Sequence, residues 1–156
     1  MTHNIRIACL GAGEGLAHAV HALLEHAVVP AENIILSRKD GPKIERFTAS
    51  GCTLLDDDMN AIMRGELVLV VAPGNELDAV LAPVCGCTSG RYLIAVSDRA
   101  KLSDIVNRVA RGTEVVAVCP VPDGAPIITY TQGFMEYIKP PCEDVIRAIL
   151  SEKNAR

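Results

Sequence analysis

Short apolar runs alternate along the chain with longer segments in which apolar residues recur every three or four positions. The runs are rich in Val, Ile and Leu and show no polar alternation, which is typical of strands buried on both faces of a parallel sheet. They predict strands at 5–10, 33–37, 67–72, 92–97 and 114–119, with a weaker candidate at 52–55. The intervening segments predict helices at 14–27, 42–50, 58–64, 75–85 and 100–110.

This alternation predicts an α/β fold of the Rossmann type, with a doubly wound, mostly parallel sheet of about six strands and helices on both faces. A length of 156 residues suits one such domain, and no linker interrupts it, so 1–156 is predicted to be a single domain. Towards the end, Ile127–Thr131 is a candidate final strand. Pro140 and Pro141 then lead into a closing helix at 142–153, within the segment 139–156.

The end of the first predicted strand is the most informative place in the sequence. Ile5–Leu10 runs directly into Gly11, Ala12 and Gly13, and a helix-like segment follows. A dinucleotide-binding unit begins in this way, because the first glycine allows a tight turn and the second lets the backbone approach a pyrophosphate. The N–H groups and the positive end of the helix dipole then face that anion.

Composition narrows the classes of partner. With 49% apolar and 22% charged residues the chain is globular. The net charge is −4, and three Tyr, two Phe and no Trp are present, so we expect no nucleic-acid partner. No apolar run reaches the length of a membrane span, and Met1–Ile5 does not resemble a secretory leader. We therefore expect a cytoplasmic protein that does not enter a membrane.

Other residues that could carry chemistry are assigned structural roles. The six cysteines are expected to stay reduced, and Cys85 and Cys87 lack a second Cys or His pair at zinc spacing, so no metal is predicted. Asp56–Asp58 precedes an apolar periodic segment and is interpreted as the N-cap of a helix at 59–64. Ser97–Arg99 has no His near it in the sequence and is interpreted as a strand-to-helix cap.

The end of the second predicted strand bears on the choice of cofactor. NAD-specific domains carry an acidic side chain there, which bonds the ribose 2′-hydroxyl. This chain has Ser37, Arg38 and Lys39, and no carboxylate until Asp40. A hydroxyl and two cations suit a 2′-phosphate, so a dinucleotide bound here is predicted to be NADP. The alternative is a solvated basic turn without a ligand.

Several further motifs accompany the glycine turn in a fixed order. Pro30–Arg38 is similar to the pattern P-x-x-I-x-V-S-x-R, and Gly51–Val70 follows a stretch of the form G-V…D-N-x-E-A-V…A-D-V-V without a gap. Val71–Gly74 corresponds to V-K-P-x, and Val118–Pro120 stands where a V-M-P loop is expected. Together with Ile7–Gly13, these segments resemble the N-terminal domain of pyrroline-5-carboxylate reductases and of F420/NADP-type oxidoreductases.

The resemblance implies NADPH-dependent reduction of a cyclic imine to proline. It implies that the glycine turn binds the pyrophosphate and that the Ser-x-Arg segment binds the adenosine 2′-phosphate. It also implies that the loops matching Lys-Pro and Met-Pro lie near the nicotinamide. The implied partners are a dinucleotide and a small-molecule substrate. The implied cofactor-binding residues are Gly11, Ala12, Gly13, Glu14, Gly15, Leu16, Ser37, Arg38, Lys39, Ala72 and Pro73.

The chain departs from the family pattern at several positions. Glu14 and Asp58 replace Asn residues, Leu16 replaces a small residue, and Ala72 replaces a Lys. A phosphate about 4 Å from the Glu14 carboxylate, at an effective dielectric near 20, is repelled by roughly 4 kcal/mol at most. The same carboxylate stabilises the empty helix by about 0.5 kcal/mol. Val121–Asp123 replaces a polar Asn-Thr-Pro run, so no catalytic residue is assigned.

Family members also carry a C-terminal helical domain that builds the dimer and much of the imine site, whereas this chain ends at Arg156 after one closing helix. Three functions are compatible with these features. The first is an NADP-linked reductase with an incomplete or degenerate active site, either truncated or completed by a homodimer or by a partner chain that supplies the helical domain. The second is a non-catalytic module that senses a nucleotide. The third is a degenerate scaffold for protein interaction. We expect no reductase activity from the isolated chain.

Overall fold

Seven strands form one sheet in a computed structural model of the protein, which describes residues 2–122, 124–131, 133 and 139–154. The strands are β1 (Ile7–Gly11), β2 (Ile34–Ser37), β3 (Thr53–Leu55), β4 (Leu67–Val71), β5 (Tyr92–Val96), β6 (Glu114–Cys119) and β7 (Ile127–Tyr130). Their order is β3-β2-β1-β4-β5-β6-β7, and β7 alone runs antiparallel to its neighbour. The predicted doubly wound, mostly parallel Rossmann-type sheet is confirmed, with one strand more than expected.

Helices connect the strands. They are α1 (Glu14–Glu25), α2 (Pro42–Glu45), α3 (Asp58–Arg64), α4 (Leu77–Leu81), α5 (Leu102–Arg108) and α6 (Lys139–Asn154). Within the described ranges, none of them combines the length and the apolar character needed to cross a bilayer. Residues 123, 155 and 156, to which the sequence interpretation extends, lie outside the described part of the chain.

Of the helices described, only α3 has its predicted bounds; α1 and α5 are shorter than predicted, and three others differ as follows. The segment predicted at 42–50 begins as α-helix and continues as 3-10 helix at Arg46–Ser50. The segment predicted at 75–85 becomes α-helical at Leu77 and continues as 3-10 helix at Ala82–Cys87. In the second case Pro83 lacks the N–H that would continue the α-helical hydrogen bonds. α6 begins at Lys139, earlier than predicted, because its two prolines occupy the first turn, where a missing N–H is tolerated.

A layer of helices covers each face of the sheet. Successive strand residues point to opposite faces, so Ile7 and Cys9 of β1 pack with α1 and α6, whereas Ala8 and Leu10 pack with α3, α4 and α5. These four residues of β1 are fully buried. Burial on both faces explains why the strands lack polar alternation.

The strand order reverses between β1 and β4, with β2 and β3 on one side and β5, β6 and β7 on the other. In open parallel sheets, ligands bind in the crevice beyond the carboxyl ends of the strands at such a reversal. The turns that leave β1, β2 and β4 at this edge begin at residues 12, 38 and 72. The fold therefore brings all three predicted groups of cofactor-binding residues to one edge of the sheet.

Candidate functional site

Gly11 is the last residue of β1 and lies opposite Val71, the last residue of β4. A Cβ atom on Gly11 would collide with the carbonyl oxygen of Val71. The N–H of Ala12 donates a hydrogen bond of 3.2 Å to the same oxygen. Glycine is required here because two backbones approach each other closely, and this contact sets the start of the turn.

Gly13 supplies the conformation that turns the chain into α1. Its φ of 79° and ψ of −168° lie in a region open essentially to glycine alone. Gly13 is the N-cap of α1, and no side chain in the described part of the protein caps the first N–H groups of that helix. A Cβ atom on Gly13 would meet nothing within 4 Å. A positive helix end whose N–H groups have no side-chain cap among the described residues, beside open space, fits a phosphate group.

Gly15 lets α1 approach the sheet closely, and Leu16 packs in the hydrophobic core. A Cβ atom on Gly15 would lie 3.2 Å from Cγ1 of Val71, so Gly15 is the small residue that lets α1 approach β4. Leu16 is 1% exposed and packs between α1 and the sheet. The large residue at position 16 therefore does not obstruct the turn.

Glu14 forms an ion pair with a lysine that no motif in the sequence indicates. The Nζ atom of Lys43, in α2, lies 3.0 Å from Oε1 of Glu14. The two side chains are 65% and 72% exposed, respectively. The pairing depends on α2 packing beside α1 and joins residues 29 positions apart, so no local pattern could reveal it. The repulsion that Glu14 exerts on a phosphate is therefore opposed by a cation at the same place.

The turn after β2 is held by a buried hydroxyl and carries two exposed cations. Ser37 is fully buried, and its Oγ accepts a hydrogen bond of 3.3 Å from the N–H of Lys39. Arg38 is 57% exposed, and its guanidinium lies 3.5 Å from Glu45 and 3.8 Å from Asp56. The Ser37 hydroxyl thus acts within the turn, whereas Arg38 and Lys39 are accessible from solvent.

Two carboxylates near this turn have buried oxygen atoms that no described residue hydrogen-bonds, Oδ2 of Asp40 and Oδ1 of Asp58. Burial raises the pKa of Asp40 to about 7; the charge of Asp58 adds to the rise and Lys39 opposes it. Asp57 caps α3, because its carboxylate accepts a hydrogen bond of 2.8 Å from the N–H of Asn60. The predicted capping role of the acidic run therefore belongs to Asp57 alone.

The loop after β4 is hydrogen-bonded to β5 and to the loop that follows it. The N–H of Ala72 donates to the carbonyl oxygen of Val96 at 3.2 Å, and the N–H of Gly74 donates to Oδ1 of Asp98 at 2.5 Å. Ala72 is buried and Pro73 is exposed. Neither has a polar side chain to offer a nicotinamide.

The interpretation of Ser97–Arg99 as a helix cap is wrong. The following helix, α5, begins at Leu102 and has Lys101 as its N-cap, with no side-chain cap among the described residues. The Asp98 carboxylate instead accepts a hydrogen bond from the N–H of Gly74, in the loop after β4. Sequence reasoning missed this role because it depends on the adjacency of β4 and β5.

The cysteines are free thiols. Burial raises the pKa of the Cys9 thiol. It also raises the pKa of Cys52 to about 11 and that of Cys142 to about 12. These three thiols therefore stay protonated near neutral pH. Cys85 is exposed and Cys87 is partly buried. In the ranges that the structure describes, no group of three or more His, Cys, Asp or Glu residues is arranged to hold a metal ion.

Reductases of known structure share this fold. The crystal structure of Plasmodium falciparum pyrroline carboxylate reductase with NADP bound has a TM-score of 0.74 at 13% identity, over 96% of this chain and 56% of that chain. A pyrroline-5-carboxylate reductase from Coxiella burnetii has a TM-score of 0.76 at 15% identity, over 94% of this chain and 57% of that chain. A variant of the imine reductase from Myxococcus stipitatus in complex with NAD+ has a TM-score of 0.64 at 15% identity, over 98% of this chain and 60% of that chain.

No protein-family model matches the chain, and no curated protein sequence is significantly similar to it. Similarity at such low identity shows the fold alone, a Rossmann-type α/β fold. The proteins that share it include pyrroline-5-carboxylate reductases, imine reductases and a prephenate dehydrogenase from A. aeolicus. The chain spans between 56% and 60% of the length of these proteins.

Proposed function

We propose that the chain is the NADP(H)-binding Rossmann domain of an oxidoreductase similar to pyrroline-5-carboxylate reductase, with an incomplete or degenerate active site. The observation that carries the proposal is the glycine turn. Gly13 places the uncapped N–H groups of α1 beside open space where the strand order reverses. A protein of the same fold has been solved with NADP bound.

Each group of residues at this edge has a role in the proposal. The turn from Gly11 to Gly15 receives the pyrophosphate through backbone N–H groups. Arg38 and Lys39 pair with the adenosine 2′-phosphate, and the loop at Ala72 lies beside the nicotinamide. The bound cofactor supplies a hydride for reduction of a C=N bond.

The nicotinamide end is the degenerate part of the site. The side chain of Ala72 carries no positive charge, and its backbone N–H donates a hydrogen bond to the carbonyl oxygen of Val96. The Asp98 carboxylate is occupied by the N–H of Gly74. Neither Ala72 nor the occupied Asp98 carboxylate offers a proton to an imine, so reduction would depend on groups other than these residues.

The second candidate function is a non-catalytic module that senses a nucleotide or mediates protein interaction on a degenerate Rossmann scaffold. Glu14 favours the interaction scaffold, because its carboxylate lies in the helix turn that should receive the pyrophosphate. Ala72 is compatible with the sensor, since a sensor needs the phosphate-binding groups but no chemistry at the nicotinamide.

The domain organisation, the compartment and the pathway of the protein are proposed as well. We propose that residues 1–156 form one domain, closed by the helix within 139–156, and that it acts in the cytoplasm in proline biosynthesis. The free thiols of the chain suit a reducing compartment. Neither nucleic acid nor membrane is a proposed partner.

We further propose that a second polypeptide binds beside β7, as a second copy in a homo-oligomer or as a partner chain that supplies a helical domain. β7 is an edge strand whose apolar residues Ile127, Ile128 and Tyr130 are 58%, 42% and 64% exposed. A groove of about 560 Å³ lies between β7 and α6 and is lined in part by Val116 and Ile146. An edge strand with exposed apolar side chains is prone to pair with another chain.

Titration of the protein with NADPH and NADH by calorimetry tests the cofactor proposal. Tighter binding of NADPH that weakens in Arg38→Ala supports it. Arg6→Ala is the matched control, because Arg6 is also exposed and ion-paired, to Glu66 at 3.6 Å, but lies at the opposite edge of the sheet. Binding of neither cofactor would overturn the proposal and leave the interaction scaffold. Turnover of pyrroline-5-carboxylate by an NADPH-binding protein separates a reductase from a sensor.

A further inference from the structure

We propose that Lys43 is a ligand of the cofactor phosphates, and that its ammonium group exchanges the Glu14 carboxylate for phosphate when the dinucleotide binds. This role rests on the proposed function, because it adds a binding residue to the same site. Lys43 lies outside the motifs on which the family resemblance depends.

The segment before Lys43 brings this side chain to the mouth of the glycine turn. After β2 the chain makes a 3-10 turn, reverses at Gly41 with a φ of 93°, and enters α2 with Pro42 in its first turn. Because α2 packs beside α1, its second residue reaches the first residue of α1. The Nζ atom of Lys43 lies there, 3.0 Å from Oε1 of Glu14.

Two kinds of donor therefore meet at one end of α1. Glu14 is the first residue of the helix, and the N–H groups of that turn have no partner within the helix. The ammonium of Lys43 is held beside the same turn. A phosphate has enough acceptor oxygens to bond both the N–H groups and the ammonium, and its charge is favoured by the helix dipole and by the cation.

The exchange costs little because the existing ion pair is exposed. Lys43 and Glu14 keep 65% and 72% of their side-chain surface in contact with solvent. Exposed ion pairs contribute little to stability, since both groups remain hydrated in any case and pairing orders two flexible side chains. Once Lys43 turns to a phosphate, the Glu14 carboxylate can point into water.

Lys43 is better placed for this exchange than Arg38. The Arg38 guanidinium lies between Glu45 and Asp56, at 3.5 and 3.8 Å. In the described part of the chain Lys43 has one ion-pair partner, Glu14. A phosphate thus competes with two carboxylates for Arg38 and with one for Lys43. We expect Lys43 to contribute more to NADPH affinity than Arg38 does.

A double-mutant cycle tests the inference. The affinity for NADPH is measured by calorimetry at one salt concentration in the wild type, in Lys43→Met, in Glu14→Gln and in the double variant. Circular dichroism checks that each variant is folded. Arg6→Met is the control, because it removes an exposed, ion-paired cation at the opposite edge of the sheet.

We expect Lys43→Met to weaken NADPH binding by about tenfold, the usual effect of one hydrogen bond to a charged group. Glu14→Gln is expected to strengthen binding and Arg6→Met to leave it unchanged. The decisive comparison is made in the Glu14→Gln background, where Lys43→Met should again weaken binding by about tenfold.

The possible results of this cycle separate the phosphate contact of Lys43 from the proposed binding of the cofactor. If Lys43→Met has no effect once Glu14 is neutral, then Lys43 only neutralises Glu14, and the proposed phosphate contact is overturned. If Lys43→Met binds NADPH like the wild type, the inference fails while the proposed function stands. If the wild type binds neither NADPH nor NADH, both are overturned.

Discussion

The carbonyl oxygen of Val71 occupies the space that a side chain on Gly11 would need. These two residues are also register partners in the parallel pairing of β1 with β4. The turn towards Gly13 therefore starts from a point at which two backbones are in direct contact. Both the stability of the sheet and the shape of the candidate phosphate site depend on this contact.

Gly11→Ala is expected to destabilise the protein by about 1–3 kcal/mol, because the added methyl group forces β1 and β4 apart. Urea unfolding measures this loss, and NADPH affinity should fall with it. Gly86→Ala is the matched control, since a Cβ on Gly86 meets nothing within 4 Å. Equal stability of the two variants would show that the close approach does not limit the fold.

Gly13→Ala tests whether the turn needs the backbone conformation of Gly13, because the added methyl group collides with no other atom. Nothing lies within 4 Å of the added Cβ, but the φ of 79° and ψ of −168° strain any residue other than glycine. We expect a loss of about 1–3 kcal/mol in the free energy of unfolding and weaker NADPH binding as the turn changes shape. Wild-type stability together with wild-type affinity would contradict the role given to this glycine.

Asp40→Asn is expected to change the pH dependence of stability. Burial and the charge of Asp58 raise the pKa of Asp40 to about 7, above the value of about 3.9 for an unfolded chain. The folded state therefore holds this proton more tightly, so its contribution to stability is full at low pH and is lost as pH rises through about 7.

Unfolding by urea at several pH values measures this effect. The free energy of unfolding of Asp40→Asn should fall less than that of the wild type between about pH 4 and pH 7. Asp56→Asn, at a carboxylate that is 88% exposed, serves as the control and should keep the wild-type profile. Identical profiles for the wild type and Asp40→Asn would show that the carboxyl is solvated.

Ile127→Lys is expected to separate copies of the chain if β7 forms a homo-oligomer. Ile127 is 58% exposed on the edge strand, and a lysine there discourages pairing between edges. Light scattering over a range of concentrations reports the assembly of the wild type and of the variant. A wild type that stays monomeric would leave the partner chain as the remaining alternative.

The parts of the site that the sequence predicted are those set by neighbours along the chain. Gly13 follows a buried strand and precedes an amphipathic helix, and its role in the turn is local. The same holds for Asp57, whose carboxylate caps a helix that begins at the next residue. The role of Ser97–Arg99 was predicted wrongly, because the Asp98 carboxylate bonds a loop from another strand.

Sequence by itself determined the α/β alternation, the glycine turn and the basic residues after β2, because hydrophobic period and backbone freedom are properties of short segments. Only the tertiary structure decided that Lys43 pairs with Glu14, that Glu45 and Asp56 flank Arg38, and that Asp40 is buried with a raised pKa. Charge pairing and burial depend on which segments meet in space, and that is set by the packing of whole helices on the sheet.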